Sequence, residues 1–228
     1  MQEIEAKFYT QDLKRIESRL RPPPPFGHLP QIRNKIIRKF INFYSRIWGR
    51  LGGGLIQPRI LETNIRFDLP DSRLRSEGRV LRLRQDSEAR LTYKSESAKE
   101  QGVSSRTEIE FTVENFEKAK LFLEALGYQK LLEYEKYRTT YELDNSHIML
   151  DELPYGNFVE IEGENIEAIH HIVMKLGLNW NTAISESYSF LFEKVQDALH
   201  LTLTDLTFAN FEGLQVSAEH LQVQRADE

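Results

Sequence analysis

A chain of 228 residues with 40% hydrophobic and 11% aromatic side chains has material for one large core with appendages, and a mean hydropathy of -0.50 argues against an integral membrane protein. Thirty Lys+Arg against 35 Asp+Glu leave a formal charge of -5, so no nucleic-acid partner is expected, although a local basic patch is compatible with that balance. The absence of cysteine excludes disulfides, thiolate nucleophiles, iron–sulfur clusters and thiolate-bound zinc and fits a reducing compartment. Residues 1–5 lack the basic start and apolar run of a secretory signal, and no uncharged apolar stretch approaches the roughly 18 residues of a membrane span. The expectation is a cytoplasmic protein.

Period-two alternation predicts a strand at 3–8, followed by a helix at 11–20. A tetraproline, Pro22–Pro25, then opens a segment that becomes helical from Gln31 to Leu51 and is stopped by Gly52, Gly53 and Gly54. Strands are expected near 59–68, 79–85, 90–95 and 104–113, then a helix at 114–126 ending in Gly127. Further strands fall at 134–143, 146–152 and 156–163, joined by short turns at Asp144-Asn145-Ser146 and Pro154-Tyr155-Gly156. A helix at 164–176 ends in Gly177, and a tail from 193 to 228 reads as a helix and then irregular chain. The organisation is a domain over 1–192, interrupted by an insert at 22–54, with the tail at 193–228.

The strands carry charge on one face. Glu3, Glu5 and Lys7 oppose Ile4, Ala6 and Phe8; Arg82 and Arg84 oppose Leu81 and Leu83; Lys94 opposes Leu91 and Tyr93. Arg106, Glu108 and Glu110 oppose Ile109, Phe111 and Val113; Lys136 and Arg138 oppose Tyr137; Asp151 opposes Ile148 and Leu150; Glu160 and Glu162 oppose Val159 and Ile161. A half-exposed sheet explains any one strand. Repeated over the set, like charges two residues apart repel unless something of opposite sign lies between them.

Closing the sheet with this face inward makes a hydrated tunnel whose apolar outer face must be covered by helices. The fold expected is therefore α+β, an eight-stranded antiparallel closed β-barrel with helices packed outside. A polyphosphate bound with hard divalent cations satisfies both signs, since Arg and Lys hold phosphate oxygens and carboxylates hold Mg²⁺ or Mn²⁺. Tyr188, Phe190, Leu191 and Phe192 read as packing residues that close one mouth.

The ordered series EIEAK at 3–7, LRLR at 81–84, LTYK at 91–94, RTEIE at 106–110, EKYR at 135–138 and LDELPYGNFVEIE at 150–162 resembles the CYTH superfamily of triphosphate tunnel metalloenzymes. The resemblance implies Mg²⁺- or Mn²⁺-dependent hydrolysis of inorganic, thiamine or nucleoside triphosphate. The alternatives are a class IV adenylyl cyclase converting ATP to cyclic AMP and pyrophosphate, and a polyphosphate-binding protein without turnover. It assigns Lys7, Arg82, Arg84, Lys94, Arg106, Lys136 and Arg138 to the triphosphate. Glu3, Glu5, Glu108, Glu110, Asp151, Glu160 and Glu162 fall to the metal, with Glu5, Glu108, Lys94 and Lys136 as the catalytic candidates.

The insert departs from the family pattern. At 100° per residue Ile32, Ile36, Phe40, Ile47 and Trp48 share one half of the helix, while Lys35, Arg38, Lys39, Arg46 and Arg50 lie on the other. Its apolar half packs on the chain's own barrel, or meets a partner, a second subunit or an anionic membrane surface. The histidines show no HExxH spacing, and the glycine triplet lacks the Lys-Ser or Lys-Thr of a phosphate loop.

Overall fold

The computed structural model describes residues 2–20 and 54–228; the expectations for the tetraproline and the helix at 31–51 fall outside the described residues. The elements in chain order are β1 (Gln2–Thr10), α1 (Leu13–Leu20), β2 (Gly54–Asp68), α2 (Arg73–Ser76), β3 (Val80–Gln85), β4 (Ala89–Lys94), β5 (Ala98–Glu100) and β6 (Val103–Val113). They continue with α3 (Phe116–Ala125), β7 (Gln129–Leu143), β8 (Ser146–Leu153), β9 (Gly156–Glu162), α4 (Ile166–Leu176), a 3₁₀ turn (Trp180–Thr182), α5 (Tyr188–Leu199) and α6 (Ala218–Leu221).

The strands pair in the order β1-β9-β8-β7-β2-β3-β4-β6, all antiparallel, and β1 also pairs with β6, so eight strands close into a ring. The three-residue β5 sits on the outside of this count as an extra pairing on β6. Several strands run longer than their alternation suggests. Gly54 opens β2, and bulges around Gln57 let the strand absorb Pro58, which cannot donate to the ladder. β7 begins at Gln129, five residues ahead of the expected strand.

Local chemistry sets the connections. Asp144 and Asn145 both have positive φ (50° and 59°), the geometry of a two-residue hairpin loop whose twist suits the strands. Asn115 and Asn165 cap α3 and α4 by accepting from the backbone N–H of Lys118 and Ala168. Gly156, at φ 150°, leads into β9 where a Cβ would stand 2.8 Å from the Tyr9 ring, so the β8–β9 turn needs glycine for space.

The apolar face of the ring points outward under helices. Ala6, Phe8, Ile148, Leu150, Val159 and Ile161 pack with Ile16 and Leu20 of α1 and with Ile169, Ile172, Val173 and Leu176 of α4. Ile65, Phe67 and Leu83 pack with Leu123 of α3. On the inner face at one end of the ring, a third cluster joins Tyr9, Tyr134, Tyr155 and Phe158 to Tyr188, Leu191 and Phe192 of α5 and to Phe211 and Leu221 of the tail. Phe190, expected among the packing residues, is 47% exposed, because α5 turns that position to water. No helix among the described residues is long and apolar enough to cross a membrane.

Candidate active site

One ladder register orients a whole strand, because side chains alternate. The pairings set Lys7 opposite Glu160, Glu5 opposite Glu162, Glu3 opposite Arg106 and Lys94 opposite Glu108. They also set Arg138 opposite Asp151, Glu62 opposite Lys136, Asn64 opposite Arg84 and Arg66 opposite Arg82. Charged positions thus face charged positions round the ring, and their common side is the bore. A cavity of about 710 Å³ occupies it.

All seven predicted cations, Lys7, Arg82, Arg84, Lys94, Arg106, Lys136 and Arg138, line that cavity, as do Glu3, Glu5, Glu108, Glu110, Glu160 and Glu162. Asp151 does not. On the inner face of β8 but fully buried beneath its neighbours, it accepts from Lys136 Nζ (3.0 Å), from Arg138 Nε and Nη2 (both 2.6 Å) and from the Tyr188 hydroxyl (2.8 Å). With both oxygens taken by protein donors, Asp151 suits the holding of Lys136 and Arg138 in place better than metal ligation.

The inner face of β2 adds residues that the sequence reading passed over. Glu62 and Arg66 line the cavity, and Glu62 is 1% exposed amid Lys136 (3.6 Å), Arg84 (3.8 Å) and Arg138 (4.0 Å). The alternation Glu62-Asn64-Arg66 carried the signal. Tyr134 and Tyr188 stand where the cavity meets the aromatic cluster, so hydrocarbon seals the bore on that side and leaves the charged part hydrated. Tyr188 also lies under two cations, with Lys7 Nζ 4.5 Å and Lys136 Nζ 5.3 Å from its ring centre. His147, left aside in sequence, lines the cavity beside Glu162.

Electrostatics sorts the carboxylates into two groups. Burial pushes Glu62 up, but Lys136, Arg138, Arg84 and Arg82 together outweigh it and hold the group at about 2. Glu160 is likewise pushed up by burial yet held well below the ordinary range by Arg138 and Lys7, which it meets at 3.1 and 3.6 Å. Glu108 and Glu110 are lowered against burial by Lys94 and by Arg84, respectively. Glu5 and Glu162 go the other way. Burial raises Glu5, with Glu160 adding to it; burial raises Glu162 to about 7, with Glu3, Glu160, Glu108 and Glu5 adding to it.

Like charges directly opposed on neighbouring strands destabilise a sheet, and Glu5 faces Glu162. A cation relieves that repulsion, and an oxygen-only donor set suits a hard divalent ion. As the side chains stand, no three such groups among the described residues converge on one point; Glu3, for example, accepts from Lys94 (2.6 Å) and Arg106 (3.1 Å). The chemistry of the donor set therefore fits a divalent ion, with Glu3, Glu108, Glu110 and Glu160 now turned to protein cations.

A closed antiparallel ring with charge inside and hydrocarbon outside defines a tunnel protein for anionic ligands. The sequence pattern of the CYTH domain matches residues 35–188, more than half of the chain, and the chain belongs to that family. Solved structures share the fold. A candidate adenylate cyclase from Vibrio parahaemolyticus superposes with a TM-score of 0.63 at 16% identity, covering 84% of this chain and 97% of that one. The PH1819 protein of Pyrococcus horikoshii gives 0.61 at 24% identity, covering 84% and 99%. A candidate adenylyl cyclase from Hippeastrum, described as having a dominant triphosphatase activity, gives 0.53 at 15% identity, covering 84% and 95%. No curated protein matches the chain significantly.

Proposed function

We propose that the chain is a metal-dependent triphosphatase that hydrolyses inorganic, thiamine or nucleoside triphosphate in its tunnel. One observation carries the reading: nine cations and seven carboxylates share a single cavity. Membership of the CYTH domain family supports an enzyme acting on triphosphates. Lys7, Arg82, Arg84, Lys94, Arg106, Lys136 and Arg138 hold the phosphate oxygens and neutralise the charge that spreads over them in the transition state. Glu3, Glu5, Glu108, Glu160 and Glu162 would hold Mg²⁺ or Mn²⁺, which when bound supplies further charge neutralisation at those oxygens.

Water attacks the terminal phosphorus, the bond to the bridging oxygen breaks, and the water proton passes to a carboxylate. Glu5 and Glu108, the two catalytic glutamates expected from the sequence, both line the cavity and are the candidate acceptors. Lys94 and Lys136 donate to Glu3 and Asp151, so their part is to hold phosphate. Glu110, paired with Arg84 at 3.0 Å, is a carboxylate that arriving phosphate displaces.

The test is a panel of tripolyphosphate, thiamine triphosphate and ATP with Mg²⁺ or Mn²⁺ and product identification. Orthophosphate from tripolyphosphate is the expected result. Cyclic AMP with pyrophosphate from ATP would transfer the protein to the cyclases. Metal-independent binding of tripolyphosphate with no product after long incubation would make it a binding protein.

A further inference from the structure

Asn64, on the inner face of β2 between the cavity residues Glu62 and Arg66, is 0% exposed, and neither its amide oxygen nor its amide nitrogen has a hydrogen-bond partner. Interiors rarely tolerate such a group, because burying an amide forfeits its hydrogen bonds to water. Its ladder neighbours are Arg84 on β3 and Tyr134 on β7. Arg84 is also incompletely used. Its Nη2 donates twice to Glu110, at 3.0 and 3.2 Å, while its Nε makes no hydrogen bond and stands 3.9 Å from Asp86 Oδ2.

The two directly opposed residues therefore hold an idle acceptor, Asn64 Oδ1, and an idle donor, Arg84 Nε. Glu110 ties the guanidinium down by its outer nitrogen, and phosphoryl oxygens compete for that same nitrogen. Once a phosphoryl oxygen replaces Glu110, the Arg84 Nε–H can turn to Asn64 Oδ1. We propose that Asn64 is a positioning residue for the triphosphate, anchoring Arg84 in its phosphate-bound orientation. The proposal rests on the triphosphate reading. It also explains an amide left unsatisfied in the fold, since residues placed for a ligand lower the stability of the protein without it.

Calorimetric titration with tripolyphosphate, thermal unfolding with and without it, and steady-state phosphate release separate the possibilities in wild type, Asn64→Leu and Asn64→Asp. The expected result is that Asn64→Leu unfolds at or above the wild-type temperature without ligand, yet binds tripolyphosphate about tenfold more weakly, as loss of a charge-assisted hydrogen bond implies. Its KM rises with a smaller change in kcat. Asn64→Asp, nearly isosteric, binds more weakly still, because a carboxylate opposite Arg84 competes with phosphate for the guanidinium. Equal affinity in all three proteins overturns the proposal, as does a lowered unfolding temperature of Asn64→Leu with unchanged affinity, which would mark an amide that holds only a buried water. Wild-type protein that binds no tripolyphosphate overturns the triphosphate reading itself, and this inference with it.

Discussion

Glu62 shows how a single side chain organises the bore. It is buried among Lys136, Arg84 and Arg138, and those cations, with Arg82, hold its carboxylate at about 2. Taking away one partner of a buried ion pair leaves uncompensated charge, so Glu62→Gln is expected to destabilise the fold by about 3 kcal/mol. Tripolyphosphate brings replacement negative charge. The ligand should therefore raise the unfolding temperature of Glu62→Gln more than that of wild type, a difference that calorimetry measures; equal shifts would deny Glu62 its central place. Asp151 acts through its neighbours, so Asp151→Asn should loosen Lys136 and Arg138 and raise KM for tripolyphosphate about tenfold, on the scale of one charge-assisted hydrogen bond. A metal-ligand role would instead shift the Mg²⁺ or Mn²⁺ dependence of the rate.

Among the elements, α1 depends on the far end of the chain. Asp227 accepts from the Thr10 hydroxyl (2.7 Å) and from the backbone N–H of Gln11 and Asp12 (both 3.0 Å), setting a carboxylate at the N-terminus of α1, where Asp12 itself accepts from the N–H of Arg15. Burial pushes Asp227 up, but these hydrogen bonds and Arg225 outweigh it and the group lies below its ordinary value. A carboxylate lowered in the folded state stabilises above its unfolded pKa, about 3.9, and that contribution fades as pH falls through the lower folded value. Asp227→Asn should therefore lose stability at pH 7, by about 2 kcal/mol, and show a flatter acid limb than wild type in urea unfolding from pH 6 to 2. Hydrogen exchange at Leu13–Leu20 should accelerate with it. The tail is held like part of the domain: Leu206 pairs with Tyr134, and the carbonyl of Tyr9 accepts from Ala226 N–H.

On the scale of the whole molecule, backbone ladders close the ring, with β1 pairing on both sides, and the covering helices bury its apolar outer face. On the proposed function, divalent cations serve turnover, and the ring folds without them. Chelation should abolish phosphate release while leaving the far-ultraviolet circular dichroism unchanged, and adding Mg²⁺ or Mn²⁺ back should raise the unfolding temperature by relieving Glu5 and Glu162. Unfolding on chelation would show that the carboxylates cannot tolerate one another without the metal.

Much of this was legible in one dimension. Strand alternation alone put Glu3, Glu5, Lys7, Arg82, Arg84, Lys94, Lys136 and Arg138 on single faces, because a side chain two residues on returns to the same side whatever the tertiary fold. The helix ends at Asn115, Asn165 and Gly177 were equally local, since caps follow from backbone geometry. Which strands became neighbours was not local. Register decided that Glu5 meets Glu162 and that Asn64 meets Arg84. Close packing buried Asp151 beneath Lys136, Arg138 and Tyr188 and brought Glu62 into the centre of the cations. Those placements depend on contacts between residues far apart in the chain, and the energy of a charge depends on the charges beside it; alternation carries the side a residue faces, and only the closed ring supplies what it faces.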